Sequence, residues 1–518
     1  MNKFLQLSAL LCCLISFGQD GLLDNTFGTN GKVTTSFSAG EDKAYGVAVQ
    51  DDGKIVVAGF TYSTIYGNDF ACARYNNDGS LDTTFGTGGK MTYDLQVGSD
   101  DKAYGMAIQL DGKIVMAGYS DNGSDKAGAV IRINSDGTLD TTFGTGGKAF
   151  TNFTIYNTNA RADEFKTVKI HHLTGKIVVG GTSVLNTNES KGIFARYLST
   201  GVLDTGFANN GILINMPIPI NNSNGYTFVI EDLAIKSNGK ISAVGWVDVP
   251  GTGALFKASQ YTCRLSENGT LDATFSTDGW AVNSFTTGDD KTYAMILKPD
   301  DTFLFCGNTR WSNEDYKHYF GSMSTSGSMS HYGTIDFSSA TRDNAYDMAL
   351  DSSSKILMAG SVVNSTTNTS SFGLTRVNAD NSLDATFGTS GKVSTDFGAN
   401  SFSESFAMAI QPDAKIILAG YSGNDFAIAR YNGSQLSNSS FDSQSKLSLY
   451  PNPSRNTLNI SLANNSNMVI AYQIIDVNGR IVKDGSLENV NNSIGIENLA
   501  SGLYIFKTKN SAVKFIKE

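Results

Sequence analysis

The sequence predicts an all-β protein, and three observations lead to that prediction. Glycine is frequent, at 54 of 518 residues, while proline is scarce, at 7, which favours many tight turns over disorder or a collagen-like structure. Short apolar or alternating runs stand between Gly, Asn and Asp turns, as expected of strands joined by hairpins. One four-strand unit is also written repeatedly along most of the chain.

Residues 1–19 predict a secretory signal peptide. Lys3 supplies a positive charge before a mostly apolar run at 4–17. That run is shorter than the ~20 residues that a membrane-spanning helix needs, and no later run is long enough to span a membrane. A buried N-terminal helix is the alternative interpretation.

Residues 20–434 contain the repeated unit. The phrase Leu-Asp-x-x-Phe-Gly-x-x-Gly-Lys begins at Leu23, Leu81, Leu139 and Leu383, with looser copies at Leu203 and Leu271. A second phrase, Gly-Lys-Ile-Val-Val-Ala-Gly in its fullest form, recurs around Lys54, Lys113, Lys176, Lys240, Lys355 and Lys415. In the first unit these patterns predict four strands, which we call a to d, at 45–50, 54–59, 70–75 and 89–95.

Four strands per unit, repeated radially, predict a seven-bladed β-propeller. A β-solenoid or a set of separate modules would fit the period as well, and the two ends of the repeat region decide between them. The region begins with a lone d strand at 32–37, and its seventh unit finishes with a c strand at 426–431. We expect the N-terminal strand to complete the seventh blade and close the ring, which protects the sheet edges.

A charged pair recurs at the turn between strands c and d. An arginine precedes an aspartate by the same spacing in Arg74–Asp82, Arg132–Asp140, Arg196–Asp204, Arg264–Asp272 and Arg376–Asp384. The fifth unit has Ser322 and Ser330 instead. The seventh unit has Arg430 but Asn438, so ring closure should bring Asp24 to Arg430. We expect structural, charge-assisted hydrogen bonds, and an Arg430–Asp24 separation beyond ~5 Å would contradict the closure.

The two repeated phrases resemble those of the bacterial delta-60 repeat family, of propeller type. The resemblance covers about 23–431, and the fifth unit departs from it most. It implies the propeller fold and no particular chemistry.

Residues 446–518 form a second predicted module, after a Ser-, Asn- and Gln-rich linker at 435–445. Its phrases are Leu-Tyr-Pro-Asn-Pro from Leu449, Asp-Val-Asn-Gly-Arg from Asp476 and Ser-Gly-Leu-Tyr-Ile from Ser501. In this order they resemble the type A C-terminal sorting domain of the type IX secretion system. The resemblance implies a small Ig-like β-sandwich and export in Bacteroidetes-like bacteria. It also implies removal by a sortase-like peptidase, which leaves the cargo secreted or attached to the outer-membrane surface.

The chemistry that the sequence lacks is also informative. The formal net charge of −10 argues against nucleic-acid binding. The repeated Gly-Lys is followed by Val33, Met91, Ala149 and Val393, where a phosphate-binding loop needs Ser or Thr. The sequence has no Gly-x-Ser-x-Gly elbow and no His-Glu-x-x-His motif. We therefore expect no enzyme, no catalytic residues, no metal site and no cofactor, with calcium binding left open.

The candidate binding residues lie on one face of the predicted ring. Because successive strands alternate in direction, the d–a and b–c loops share a face, which we call the variable face because these loops differ most in length. Binding residues concentrate on variable loops of a rigid scaffold. One cluster mixes aromatic and charged residues, which suits a sugar or a peptide: Trp246, Arg310, Trp311, Glu314, Asp315 and Tyr316. A loop that binds nothing is the alternative.

A second, acidic cluster precedes the a strands. It consists of Glu41 and Asp42, Asp100 and Asp101, Asp163 and Glu164, Asp289 and Asp290, and Asp343. We expect these residues to ring the channel mouth, where Asp101 and Asp290 would hold cations or a polar ligand. A solvated acidic rim without a ligand is the alternative.

These expectations describe a secreted or cell-surface β-propeller that acts as a binding module for a glycan, a protein or a surface polymer. Its C-terminal domain would engage the type IX secretion machinery and a sortase-like peptidase, and its ligand would be an extracellular glycan or protein. The alternatives are a structural surface or adhesion component, and a propeller lyase or hydrolase with carboxylates at the channel mouth. Fold alone does not choose among them.

Overall fold

The computed structural model describes residues 20–63, 67–153, 162–186, 189–214, 226–250, 256–312, 315–338, 341–364, 367, 369–398, 401–433, 447–462, 470–476, 481–487, 489, 491–508 and 512–518. The predicted signal peptide and the predicted linker lie outside these ranges. The chain forms two compact units, Met1–Ser434 and Gln435–Glu518. Over the ranges just given, the secondary structure is all strand, without an α-helix. Within them, no helix offers the length and apolarity that crossing a membrane would require.

The first compact unit is built from repeats of four antiparallel strands, which we number unit 1 to unit 7. Single parallel bridges join units 2 and 3, at Lys126 and Ala162, and units 5 and 6, at Tyr316 and Arg342. Unit 1 comprises β2 (Asp42–Val49), β3 (Ile55–Ser63), β4 (Gly67–Tyr75) and β5 (Lys90–Tyr93). Unit 2 comprises β6 (Asp100–Ile108), β7 (Ile114–Asp121), β8 (Lys126–Ile133) and β9 (Lys148–Thr151). Unit 3 comprises β10 (Ala162–Ile170), β11 (Ile177–Asn186), β12 (Glu189–Tyr197) and β13 (Ile212–Leu213). Unit 4 comprises β14 (Phe228–Ile235), β15 (Ile241–Pro250), β16 (Phe256–Leu265) and β17 (Trp280–Asn283).

The remaining strands follow the same order. Unit 5 comprises β18 (Asp290–Leu297), β19 (Phe303–Ser312), β20 (Asp315–Met323) and β21 (Met329–Ile335). Unit 6 comprises β22 (Thr341–Leu350), β23 (Ile356–Asn364), β24 (Thr369–Val377) and β25 (Lys392–Thr395). Unit 7 comprises β26 (Ser403–Ile410), β27 (Ile416–Ser422), β28 (Asp425–Tyr431) and, in the d position, β1 (Lys32–Thr35).

The N-terminal strand closes the ring. β1 pairs antiparallel with β28, from Lys32 opposite Ala429 to Thr35 opposite Phe426. The residues before β1 also bond to unit 7, since Asn432 N donates to Leu22 O at 2.8 Å. The sheet edge of unit 7 is thereby paired, as the chain ends predict.

The core lies between neighbouring units. One buried cluster joins Val56 and Phe70 of unit 1 to Met116 and Ile131 of unit 2. The b strands supply much of this packing because both of their faces are covered: all residues from Ile55 to Phe60 are buried. A continuous apolar run suits a strand that is covered on both faces.

The turn between c and d explains the repeated glycines. Gly86 has a φ of 54° and donates its N–H to Asp136 O of unit 2 at 2.8 Å. A Cβ at this position would lie 2.3 Å from Lys90 O, so only glycine fits both the positive φ and the close approach.

The structure brings together each predicted arginine–aspartate pair. The arginine Nε donates to the aspartate Oδ2 at 2.7 to 2.9 Å in Arg74–Asp82, Arg132–Asp140, Arg196–Asp204, Arg264–Asp272, Arg376–Asp384 and Arg430–Asp24. The Arg430–Asp24 distance of 2.8 Å lies within the limit set for ring closure.

Each pair belongs to a larger group that we call the turn clamp: the arginine, the aspartate, a lysine from strand b and a phenylalanine ring. In unit 1, Lys54 Nζ lies 3.0 Å from Asp82 Oδ2, and Arg74 Cζ lies 4.8 Å from the centroid of the Phe85 ring. Arg74 Nη1 bonds Ser135 O of unit 2. Burial raises the pKa of Asp82, but bonds from Thr84 and Lys54 and the charge of Arg74 outweigh it and hold the pKa below its ordinary value. The clamp therefore links neighbouring units.

The second compact unit contains two sheets. The first sheet has β29 (Leu447–Tyr450), β30 (Thr457–Leu462) and β33 (Asn491–Gly495). The second has β31 (Ile470–Asp476), β32 (Ile481–Leu487), β34 (Gly502–Thr508) and β35 (Ala512–Lys517). Leu458 and Ile460 of the first sheet share a buried cluster with Ile474, Phe506 and Phe515 of the second. Two sheets that enclose a common core form a sandwich.

Candidate functional site

Each a strand carries a β-bulge near its middle, and the extra residue lines a cavity of about 630 Å³. The lining comes from the a strands of units 1 to 7, so the cavity is the central channel of the ring. A bulge re-aims one side chain relative to simple strand alternation. The bulge residues, which we call the channel ring, are Tyr45, Tyr104, Lys166, Glu231, Tyr293, Tyr346 and Phe406.

Five members of the channel ring form a continuous aromatic arc. Ring centroids lie 5.1 Å apart for Tyr104 and Tyr45, 4.6 Å for Tyr45 and Phe406, 5.1 Å for Phe406 and Tyr346, and 5.0 Å for Tyr346 and Tyr293. These separations are in the favourable range for aromatic pairs. Burial raises the pKa of the Tyr45, Tyr104 and Tyr293 hydroxyls, which therefore stay protonated at neutral pH.

Lys166 and Glu231 occupy the two remaining positions of the channel ring, between the ends of the aromatic arc, and we call them the polar gap. Lys166 Nζ lies 2.6 Å from Glu164 Oε2 and 4.1 Å from the centroid of the Tyr104 ring. Glu231 Oε1 accepts a hydrogen bond from Trp246 Nε1 at 2.9 Å. Burial raises the pKa of Glu231. The gap therefore places an ammonium and a carboxylate at adjacent positions of the ring.

A second charged layer lies farther along the a strands, toward the a–b turns. Lys169 Nζ lies 3.0 Å from Asp232 Oδ1, and the Lys169 side chain is 45% exposed. Asp232 Oδ2 accepts from Met295 N of unit 5 at 3.1 Å. Asp347 Oδ2 accepts from Met408 N of unit 7 at 2.7 Å, and burial raises the pKa of Asp347 to about 6. Both carboxylates thus bond to the backbone of the next unit.

The mixed cluster predicted from sequence is divided in the structure. Trp246 lies on β15, half-buried, with Lys291 Nζ 4.0 Å from its ring centroid. Arg310 and Tyr316 are opposite each other on β19 and β20, next to Asp315. Arg310 Nη2 lies 3.3 Å from Asp289 Oδ2. The described contacts place Trp246 beside Glu231 of the channel ring.

Two members of that cluster are not described by the structure. Glu314 and the side chain of Trp311 lie outside the described residues. The same holds for parts of the long loops of the variable face, at 154–161, 215–225 and 251–255.

The acidic cluster does not form the expected rim of the channel mouth. Asp101 and Asp290 are both 0% exposed. Asp101 Oδ2 accepts from Leu95 N at 2.6 Å, and Asp290 Oδ2 accepts from Phe285 N at 2.7 Å. Asp42, Asp163 and Asp343 bond the preceding loop in the same way. Strand alternation is the reason, because it turns one residue of each acidic pair into the protein.

The sequence contains a signal for the channel ring that the two repeat phrases and the loop lengths do not carry. An aromatic residue recurs at one position of strand a, in Ala-Tyr-Gly at 44–46 and 103–105, Thr-Tyr-Ala at 292–294, Ala-Tyr-Asp at 345–347 and Ser-Phe-Ala at 405–407. Aligning the units on strand a would have found it. Alternation alone would not assign these side chains to the channel, because a bulge changes the alternation.

Two family models match parts of the chain. The model described as a secretion system C-terminal sorting domain matches residues 448–518. The model described as a β-propeller domain of unknown function, DUF5122, matches residues 50–85, 109–143, 174–207 and 411–434. These matches confirm a β-propeller followed by a C-terminal sorting domain. The sorting domain marks the chain for export by the type IX machinery to the cell surface or beyond it.

Solved structures with a similar arrangement include three with different roles. PorZ, a surface component of the type IX secretion system of Porphyromonas gingivalis, is 12% identical with a TM-score of 0.36, and the match covers 92% of this chain. This chain spans only 59% of the length of PorZ. Virginiamycin B lyase from Staphylococcus aureus is 12% identical with a TM-score of 0.41, covering 77% of this chain and 98% of the lyase.

The third structure is the polysaccharide lyase Uly1. It is 10% identical with a TM-score of 0.44, and the match covers 81% of this chain and 93% of the lyase. A comparison with curated proteins finds no match to this sequence.

Proposed function

We propose that this exported β-propeller is a surface binding protein that takes a glycan into its central channel and does not convert it chemically. The observation that supports the proposal most is the channel ring, which combines an aromatic arc with a polar gap. Sugars present apolar C–H faces that pack on aromatic rings and hydroxyls that need polar partners. The cavity of about 630 Å³ is in the usual size range of ligand pockets.

The polar gap supplies the partners that would orient a sugar. Lys166 and Glu231 lie beside the aromatic arc. Lys169 lies in the second charged layer, toward the a–b turns, and its side chain is 45% exposed. An ammonium donates to hydroxyl oxygens, and a carboxylate accepts from hydroxyls. Donor and acceptor beside a flat apolar surface would fix both the position and the orientation of one sugar unit.

Binding without turnover is supported by what the channel carboxylates already do. Asp232 accepts from Thr167 Oγ1 at 3.1 Å and from Leu233 N at 2.8 Å, in addition to Met295 N. Asp347 accepts from Met348 N at 2.7 Å, in addition to Met408 N. A general acid or base must exchange a proton with its substrate, whereas these groups hold the backbone in place.

A hydrolase or lyase is the second candidate, and Glu231 is the observation that favours it. Its pKa is raised by burial, which is the condition of a carboxyl that donates a proton near neutral pH. A glycan that binds and is then cleaved, with cleavage lost in Glu231→Gln, would establish this candidate and contradict binding without turnover.

After export, we propose that the sorting domain is removed by a sortase-like peptidase and that the propeller stays at the cell surface. A structural surface or adhesion role is the third candidate. Concentration-dependent self-association of the purified protein, without a glycan ligand, would favour it over the channel site.

The test is a glycan-binding screen with the purified protein, followed by titration of a bound glycan into the double variant Lys166→Met with Glu231→Gln. We expect its dissociation constant to rise at least about tenfold, which corresponds to ~1.4 kcal/mol. The matched control is Lys298→Met with Glu267→Gln, which changes the same residue types in turns away from the channel and should bind as the parent does. Unchanged binding by the channel variant, with folding intact, would contradict the site.

A further inference from the structure

Three carboxylates from two neighbouring units meet away from the channel ring. Asp69 lies on β4, Asp94 follows β5, and Asp101 lies on β6 of the next unit. Each side chain offers one oxygen to the group, and these oxygens all lie within 4.8 Å of one another. The group therefore spans the junction of units 1 and 2.

Two oxygens of this group have no hydrogen-bond donor among the described residues, whereas Asp94 accepts from Gly98 N and from Ser99 Oγ. Asp101 is 0% exposed, and its Oδ1 has no hydrogen-bond partner among the described residues. Asp69 Oδ1 is also buried, and it too has no partner among them. A buried anionic oxygen without a donor or a cation is costly. A cation between the three carboxylates would neutralise both of these oxygens.

The equivalent position of unit 5 carries its own positive charge. Lys317 lies opposite Thr309 on the neighbouring strand, as Asp69 lies opposite Thr61 in unit 1, so the two residues occupy equivalent positions. Lys317 Nζ lies 3.0 Å from Asp336 Oδ2, and Asp336 follows β21 as Asp94 follows β5. In unit 5 this position therefore carries the positive charge of Lys317. In unit 1 the same position carries Asp69, the third carboxylate of the group.

Unit 6 shows the same loop without the cluster. Asp396 follows β25, and its Oδ1 accepts from Ser401 Oγ at 2.9 Å, as Asp94 Oδ1 accepts from Ser99 Oγ at 3.3 Å. Ser371 and Ser403 stand there in the places of Asp69 and Asp101. The loop bonds of Asp94 are therefore a general feature of the fold, and the convergence of three carboxylates is not.

We propose that Asp69, Asp94 and Asp101 bind a calcium ion that links units 1 and 2. Carboxylate oxygens are the preferred ligands of this hard cation, with water completing the coordination. The ammonium of Lys148 does not serve instead, since it bonds the backbone carbonyls of Asp94 at 3.2 Å and Leu95 at 2.7 Å. An exported protein meets calcium at concentrations that suit weak sites of about 0.1 to 1 mM.

Shared protons are the rival explanation of the cluster. Burial raises the pKa of Asp69 to about 6, with Asp94 and Asp101 adding to the rise, and burial also raises the pKa of Asp101 to about 6. At pH 5 protons would therefore neutralise Asp69 and Asp101, whereas at pH 7.5 both are ionised and a cation would offset their charge.

The test measures calcium binding by isothermal titration, and the thermal unfolding midpoint of the first compact unit with calcium or with a chelator, at pH 7.5. We expect saturable binding and a higher midpoint with calcium. Asp69→Asn should lose both effects, and the matched control Asp396→Asn should keep both. Loss in the control as well would overturn the assignment.

Three other results would overturn the proposal. The first is the absence of calcium binding up to several millimolar. The second is equal binding by Asp69→Asn and the parent. The third is a thermal unfolding midpoint that is higher at pH 5 than at pH 7.5 and that calcium does not change at pH 7.5. This result would indicate that the carboxylates share protons instead of binding calcium. Binding of magnesium but not calcium would overturn the choice of ion. Glycan binding in the channel is read out separately, so either proposal can fail alone.

Discussion

The turn clamp and the channel ring lie in different parts of the same repeated unit, the clamp at the turn between strands c and d and the channel ring on strand a, and they differ in how much they vary. The clamp keeps its arginine, aspartate, lysine and phenylalanine in units 1 to 4, 6 and 7. The channel ring holds Tyr in four units and Phe, Lys and Glu in the others. The same clamp contacts recur in all units except unit 5, whereas the channel accepts different side chains.

This difference separates residues that join units from residues that face a ligand. The clamp arginine bonds the backbone of the next unit, as Arg264 Nη1 does with Thr325 O at 3.0 Å, so the loss of a clamp arginine also removes a contact with the neighbouring unit. A channel residue faces a cavity. Units 3 and 4 therefore have Lys166 and Glu231 where other units have an aromatic side chain, and these two residues make one side of the channel ring polar.

The largest effect should come from breaking the clamp that closes the ring. In Arg430→Ala, the Asp24 carboxylate loses its Nε donor at 2.8 Å and stays buried, at 4% exposed. We expect a loss of about 1.5–3 kcal/mol in the free energy of unfolding, the range for a hydrogen bond to a charged group, because Lys415 Nζ still lies 3.2 Å from Asp24 Oδ2. The measurement is urea unfolding followed by tryptophan fluorescence.

Glu41→Ala is the control for this variant, because it removes an ion pair from the same compact unit. The Glu41 side chain is 55% exposed and its Oε1 lies 3.2 Å from Lys43 Nζ, so we expect a change below ~1 kcal/mol. If both variants lost equal stability, the clamp would not be the feature that holds the ring closed.

The repeat phrases predict most of the fold. The unit boundaries, the closing d strand and the partner of Arg430 all follow from counting copies, because a repeated unit must satisfy the same contacts each time. The fold class and the sorting domain are confirmed by the family matches. Strand lengths are less predictable: β4 begins at Gly67 rather than 70, since pairing with β3 continues past the apolar run.

The candidate site is harder to predict because it depends on geometry that sequence patterns do not carry. The tyrosines at 45 and 104 are visible in the sequence, but only the bulge turns them into the channel. The acidic pairs are equally visible, yet alternation buries Asp101 and leaves Asp100 partly exposed. The meeting of Asp69 with Asp101 depends on contact between two units, which no local pattern encodes.

A smaller effect should appear in the pH dependence of stability. Burial raises the pKa of Asp347 to about 6, from an ordinary value of 3.8. The folded state therefore binds this proton more tightly than the unfolded state, and the contribution of Asp347 to stability falls as pH rises from about 4 to about 6. The clamp aspartates act in the opposite direction, because their lowered pKa values make stability fall as pH drops below about 4.

In Asp347→Asn, the free energy of unfolding should decline less as the pH rises from 4 to 6. It should still fall as the pH drops below 4, because the clamp aspartates are unchanged. Urea unfolding at several pH values measures both parts of the curve. Asp52→Asn, which changes an exposed residue of an a–b turn, should leave the curve unchanged. An unaltered slope in Asp347→Asn would show that this carboxyl does not titrate in that range.

The smallest effect should come from rebuilding a clamp in unit 5, where Ser322 and Ser330 are paired on neighbouring strands. Ser322→Arg with Ser330→Asp restores two parts of the clamp, but Ser330 is exposed, and exposed ion pairs contribute about 0–1 kcal/mol. The exchange also removes the bond from Tyr332 to Ser322 at 2.6 Å. We therefore expect a change within about 1 kcal/mol by urea unfolding. A gain comparable to the loss in Arg430→Ala would show that the ion pair alone carries the clamp, without the phenylalanine ring and the link to the next unit.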